Sequence, residues 1–297
     1  MRRSSSVIFG PLLSCAEGNL PVRSSSIRER RTSSFSLQRR AERWKRHYSN
    51  QSFQMRKLQE PQKSRTPAVL VMCGSFSPVT NLHLYAMDSA RTFLHHQDSN
   101  YEVIGGFMSP VSDSYKKEGL APGVHRKTMC HMALQKSPWI ALHSWEMDQI
   151  DRWTPTKLVV QRMREDVCNR LEEFGCTPST IESTKFLLVC GGDLLAGLSD
   201  EKLWSDDDLD CFFRDGICVL PRQGTEIDEV LRMERVAPYQ QKIHVLPYDM
   251  PNSVSSTLVR HLLKNGGSAD SNPSSFVDLD VLDYIYCHGL YDTRYSD

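Results

Sequence analysis

Six short apolar runs alternate with amphipathic stretches between residues 67 and 247, and that alternation constrains the fold more than any other feature. The runs are AVLVMC (68–73), YEVIGGFM (101–108), WIALHS (139–144), KFLLVCG (185–191), GICVLP (216–221) and KIHVLP (242–247). Each has strand length and is nearly continuous in apolar residues, as strands buried on both faces are. Helical periodicity fills gaps between them: LHLYAMDSARTFLHH (82–96), HRKTMCHMALQK (125–136) and TKLVVQRMREDVCNRLEEF (156–174). Strands alternating with helices give a parallel sheet with right-handed crossovers, hence a doubly wound α/β domain over residues 66–297. KNGGSADSNPSSF (264–276) reads as a loop, and DLDVLDYIYCHG (278–289) as the closing helix.

Residues 1–65 are a different object. They carry 15 Lys and Arg against 4 Asp and Glu, so the remaining chain carries 21 against 32. The zero net charge of the 297 residues therefore hides a basic tail and an acidic body. With Ser and Arg dominant and few apolar residues, the tail is expected to be disordered. Three roles fit its composition: a cleaved organellar transit peptide, a nuclear-localisation or nucleic-acid-binding arm using Arg28–Arg31 and Arg39–Arg46, or an extension with no single role. The first places the protein in a mitochondrion or plastid; the others leave nucleus or cytoplasm open. The acidic body confines any nucleic-acid binding to the tail. No window reaches the ~18 apolar residues of a transmembrane helix. The nine cysteines form no CxxC pair, and several sit within apolar runs, so buried free thiols are expected.

The first strand empties into CGSFSPVTNLHL (73–84). In a doubly wound sheet ligands bind at the carboxyl ends of the strands. Gly74 lets the backbone approach a ligand, with Ser75 and Phe76 beside it, and Pro78 sets the turn. The helix starting near Thr80 or Asn81 offers N–H groups and a positive dipole end to an anion. Thr80 and His83, three residues apart, share one face there, so hydroxyl and imidazole are both expected to reach a polyphosphate. A capped helix with a surface histidine is the alternative. The chain has neither GxxxxGK[ST] nor GxGxxG after a strand.

Gly-Ser-Phe-x-Pro-x-Thr-x-x-His resembles the signature of the eukaryotic nicotinamide/nicotinate mononucleotide adenylyltransferases, with Thr80 where many superfamily members carry the first histidine of HxGH. Further motifs follow in family order: SPVSDSYKKEG (109–119), His125-Arg126, Trp145-Glu146, CGGDLL (190–195), Leu203-Trp204 and VSSTLVRHLL (254–263). The resemblance spans about residues 67–292 and implies a Rossmann-like nucleotidyltransferase fold.

The resemblance also implies roles. Lys117 would neutralise phosphate. Gly191 and Asp193 would place adenosine, the carboxylate accepting from ribose hydroxyls. Trp153, Thr156, Leu203 and Trp204 would hold the pyridine ring, an indole stacking on the flat cation. Ser255, Ser256 and Thr257 open a second helix whose N–H groups accept phosphate, and Arg260, one turn in, would grip it. Asp206, Asp207 and Asp208 read as helix N-terminal acids, with a metal cluster as the sharper alternative. Asp249 stands near the position where the family often has an acid, after Tyr248.

The implied reaction joins ATP and nicotinamide or nicotinate mononucleotide into NAD or deamido-NAD, releasing pyrophosphate. A phosphate monoester is anionic near neutral pH, so no nucleophilic side chain is required, and catalysis becomes positioning plus charge neutralisation by His83, Lys117 and Arg260. Mg2+ is expected as the partner of ATP, held by phosphates and water rather than by a protein cage. Competing readings are a superfamily transferase with another phosphate-monoester acceptor, and a non-catalytic nucleotide-binding or chaperone-like protein. A homo-oligomer is compatible with the sequence, and ring preference is not legible in it.

Overall fold

The computed structural model describes residues 55–62, 65–96, 100–149, 153–222, 224–248, 254–265 and 272–293. Six strands form one parallel sheet: β1 (Thr66–Gly74), β2 (Tyr101–Pro110), β3 (Ile140–Leu142), β4 (Lys185–Gly191), β5 (Ile217–Leu220) and β6 (Ile243–Val245). Their order is β3-β2-β1-β4-β5-β6, and every pairing is parallel. Each of the six apolar runs is a strand, and the sheet is the doubly wound parallel α/β type expected. Nine helices are described: α1 (Asn81–His96), α2 (Gly123–Leu134), α3 (Thr156–Glu173), α4 (Pro178–Ser183), α5 (Gly192–Gly197), α6 (Asp206–Phe213), α7 (Ile227–Val230), α8 (Ser256–Asn265) and α9 (Leu279–Cys287). None is long and apolar enough to cross a membrane.

β1 explains the two-layered core. Side chains alternate across a strand, so Ala68, Leu70 and Met72 enter one cluster while Val69 and Val71 enter the other. The first cluster takes Met87, Ala90 and Leu94 of α1, Met129 of α2, Val259 of α8 and Ile285 of α9. The second takes Met163 and Val167 of α3, Leu195 of α5 and Phe212 of α6. Burial on both faces is why the run is continuously apolar rather than alternating. Cys130, Cys190 and Cys218 are buried thiols, and burial pushes Cys130 and Cys218 up to about 12.

The sequence reading put the domain border at residue 66, and residues 55–62 lie just before it. Residues 55–62 pack on the sheet. The register of β1 against β2 shifts between Ala68 and Val69, leaving Ile104 without an opposite residue. The Ile104 carbonyl accepts from the Gln59 N–H at 2.8 Å instead. Leu58 is 4% exposed and lies where Gly105 has no side chain; a Cβ there would sit 2.8 Å from Leu58 Cδ1. Lys57 Nζ donates to the Leu134 and Ile140 carbonyls at 2.7 and 2.8 Å. A basic composition concealed one leucine that fills a bulge about 45 residues away. The transit-peptide, nuclear-arm and disorder expectations for residues 1–54 lie outside the described residues.

Candidate active site

The chain reverses its winding direction at β1 and β4, which lie side by side. A crevice outside the carboxyl ends of such strands is where this fold binds ligands. Gly74 ends β1, and a Cβ there would stand 3.2 Å from the Phe76 ring. Phe76 itself is buried at φ +43°, a left-handed conformation rare for a bulky residue and maintained only by strong surrounding packing. Ser77 Oγ accepts from the Ala121 N–H at 3.0 Å and donates to the Gly119 carbonyl at 3.2 Å, so the Tyr291 hydroxyl, 3.1 Å away, donates to it.

Arg126 ties this loop to the one after β2. It is fully buried, and its guanidinium donates to the carbonyls of Ser75 (3.2 Å), Val111 (2.7 Å) and Ala121 (2.7 Å) and to Asp113 Oδ1 (2.8 Å). Its charge has one carboxylate partner, and its N–H groups satisfy carbonyls that the loops leave without strand partners. Asp113 also accepts from the Gly123 N–H at 3.0 Å. The same loop carries Lys117, which is exposed, with its carbonyl accepting from the Leu120 N–H.

At the start of α1, the Thr80 N–H donates to His83 Nδ1 at 3.0 Å and Thr80 Oγ1 lies 2.8 Å from the same nitrogen. A backbone N–H can only donate, so Nδ1 is an acceptor and the neutral ring carries its proton on Nε2. Burial, then the positive charge of Arg222, pushes His83 down to about 4, so the ring is neutral at physiological pH. Thr80 is 2% exposed. Its hydroxyl faces the imidazole, so Thr80 positions His83; the sequence reading had both side chains turned to the phosphate. Nor are the first amides of α1 all open to an anion. The Asn81 N–H donates to the Phe276 carbonyl and the His83 N–H to the Thr80 carbonyl.

The start of α8 crosses this loop. Ser255 Oγ caps the helix by accepting from the Leu258 N–H at 3.0 Å. Ser256 Oγ donates to the Pro78 carbonyl at 2.8 Å, and Arg260 Nη1 donates to the Ser77 carbonyl at 2.8 Å. Arg260 Nη2 reaches Thr257 Oγ1 at 3.2 Å. Gly119, at φ +71°, gives Arg260 room, since a Cβ there would lie 2.9 Å from Nε.

After β4, Gly191 and Asp193 are joined by a residue that the sequence reading missed. Arg222, two residues beyond the end of β5, donates from Nη1 to Asp193 Oδ2 at 3.0 Å and from Nη2 to the Val254 carbonyl at 3.4 Å. It therefore links the strand-end segments after β4 and β5 to the approach to α8. Its one sequence signal was its place just past a strand's carboxyl end.

The expected ring site divides into exposed and packed members. Trp153 is 53% exposed and Leu203 is 67% exposed, while Thr156 opens α3. Trp204 stands edge-on to Phe212, centroids 5.4 Å apart. Glu146, in the segment after β3, is buried; Ser109 Oγ donates to it at 3.4 Å, and burial pushes its carboxyl up to about 8. Residues 150–152 and Asp249 lie outside the described residues. Asp208 closes a capping box with Ser205, Asp206 pairs with Arg235, and Lys157 stands 3.8 and 3.7 Å from Asp207 and Asp208. These acids serve a helix start and its cations. Among the described residues no group of three or more His, Cys, Asp or Glu is arranged to hold a metal ion.

A family profile described as cytidylyltransferase-like matches residues 71–262. Over 232 residues the chain is 34% identical to a nicotinamide/nicotinic acid mononucleotide adenylyltransferase of Schizosaccharomyces pombe, covering 77% of this chain and 61% of that protein. A rice protein of the same name is 32% identical over 230 residues, covering 76% of this chain and 87% of its own length. The chain thus spans about three fifths of the yeast relatives it matches, but most of the plant one. The structure resembles that of a Plasmodium falciparum nicotinic acid mononucleotide adenylyltransferase complexed with APC, with TM-score 0.55 and 18% identity, covering 76% of this chain and 98% of that one.

Proposed function

Because the chain belongs to the cytidylyltransferase-like family and, within it, to the nicotinamide/nicotinic acid mononucleotide adenylyltransferases, we propose that it transfers the adenylyl group of ATP to nicotinamide or nicotinate mononucleotide. One observation carries the reading beyond kinship. Ser256 and Arg260 donate to the carbonyls of Pro78 and Ser77, so two phosphate-type motifs about 180 residues apart lie side by side, which supports reading them as one anion site.

The mononucleotide's 5′-phosphate attacks the α-phosphorus of ATP in line, and pyrophosphate leaves. The attacking oxygen needs no base, because the monoester is already anionic. His83 donates from Nε2 to a phosphate oxygen without proton transfer, as its neutral ring and fixed tautomer allow. Arg260 and the opening amides of α8 neutralise the phosphate chain, with Lys117 reaching in from its exposed loop. Asp193 accepts from the ribose of adenosine. Trp153, Thr156, Leu203 and Trp204 hold the pyridine ring. All of these come from one chain. Mg2+ bound to ATP would offset charge on the pyrophosphate leaving group. The residues present fit that role: His83, Arg260 and Lys117 are donors and no group of three or more His, Cys, Asp or Glu among the described residues is arranged to hold a metal, so phosphates and water would supply the ligands.

The test is a coupled assay on the full chain with ATP, Mg2+ and each mononucleotide, following dinucleotide and pyrophosphate together. Equal amounts of both products are expected with either acceptor. ATP binding without turnover of either mononucleotide would sink the acceptor assignment.

A further inference from the structure

Arg222 stands where three parts of the site meet. Its Nη1 holds Asp193, its Nη2 reaches the Val254 carbonyl one residue before the Ser255 cap, and its charge acts on the His83 ring. The pair it forms with Asp193 is shallow, with 61% of the carboxylate side chain exposed. Gly191 makes room for it: a Cβ there would lie 2.5 Å from Asp193 Oδ1 and 3.6 Å from Arg222 Cδ. An ion pair this open to water is weak and readily exchanged for another partner.

We propose that the Asp193–Arg222 pair is a latch, in which the ribose hydroxyls of ATP take over Asp193 and release Arg222 to grip phosphate oxygens between His83 and the start of α8. The inference rests on reading ATP as the nucleotide substrate. In the free enzyme the pairing keeps two opposite charges occupied beside an anion site. Once ribose hydroxyls donate to the carboxylate, the guanidinium is drawn to the phosphates, where charge-assisted bonds are stronger. Ribose and phosphate binding are thereby coupled, and such coupling is reciprocal.

Inorganic tripolyphosphate and adenosine separate the two halves of ATP as probes. By calorimetry on the full chain, adenosine should tighten tripolyphosphate binding in the wild type and lose that effect in Arg222→Ala. Arg222→Ala alone should bind tripolyphosphate about 10-fold or more weakly, as loss of a charge-assisted contact implies. Asp193→Asn should tighten tripolyphosphate about 2- to 5-fold when Arg222 is present and leave it unchanged in Arg222→Ala. Equal tightening in both backgrounds would reduce the effect to removal of a negative charge and overturn the latch. So would unchanged tripolyphosphate binding in a folded Arg222→Ala chain. Arg222→Lys, which keeps the charge, should retain most of the binding and guards against a folding defect in the alanine variant. These measurements involve no mononucleotide. A chain that shows the coupling but makes no dinucleotide would refute the acceptor assignment and leave the latch standing.

Discussion

The Thr80 N–H donates to His83 Nδ1 at 3.0 Å, and this one bond fixes which edge of the ring is the donor. A histidine at the helix start could have presented either nitrogen. With Nδ1 occupied, only Nε2–H faces outward, and burial beside Arg222 holds the ring neutral down to about pH 4. His83→Ala should lower kcat/KM by about 10²-fold or more, the usual cost of one lost donor to a charged transition state. A variant within a few-fold of wild type would remove His83 from the phosphate clamp. Protonation of His83 is suppressed in the fold, so between about pH 6.5 and 4 the unfolded chain takes up a proton that the folded one refuses. Its contribution to stability is complete above that window and lost as pH falls through it.

How much of this was legible in the sequence depends on the distance over which each feature is built. The six strands were, because a strand buried on both faces writes itself as a local apolar run, as in AVLVM. The helix starts at Asn81 and Ser256 were, because caps and turns are local too. Arg222 was not: nothing local marks it beyond its place after a strand, and only the fold brings it to Asp193, 29 positions earlier. Thr80 was half read. Spacing put it on the face of His83, but spacing does not say whether a hydroxyl turns to the ligand or to its neighbour. Glu146 belonged to a visible WE pair, yet its protonation comes from burial, which outweighs the opposing pull of Ser109, Ser112 and Arg126.

The contact of Leu58 with Gly105 makes residues 55–62 part of the folded unit. Leu58→Ala should destabilise by about 2–4 kcal/mol through lost burial and a cavity. Gly105→Ala should cost about 1–3 kcal/mol by overpacking, since its methyl would meet Leu58 Cδ1 at 2.8 Å. The two should not add. Truncating Leu58 vacates the space that the new methyl needs, so the double variant should recover about 1 kcal/mol or more against the sum. Denaturant midpoints of the four chains measure this. Strict additivity would show that the strap does not fill the bulge.

Trp153 projects into solvent while Trp204 is anchored on Phe212, so the first should act on a ligand and the second also on the core. Trp153→Ala is expected to raise KM for the mononucleotide about 10-fold while leaving KM for ATP within about twofold, from loss of stacking on a flat cation. Trp153→Phe should retain part of the effect. Equal rises for both substrates would place Trp153 outside the ring site.

Glu146 gives the pH dependence opposite to that of His83. Burial raises its carboxyl from the ordinary 4.5 to about 8, so from about pH 4.5 to 8 the folded chain keeps a proton that the unfolded chain has released. The stabilisation is complete below that window and lost as pH rises through it. Ionisation near pH 8 also places a charge beside Ser109 at the end of β2 and Ser112 in the loop that carries Lys117. Glu146→Gln keeps a neutral group of the same size and removes the titration. Urea midpoints of wild type and Glu146→Gln should therefore diverge as pH rises from about 5 to 9, with the wild type losing stability faster. A gap between the two that stays constant over that range would mean that Glu146 is ionised throughout, and that the buried carboxyl is paired more strongly by Arg126 than its surroundings imply.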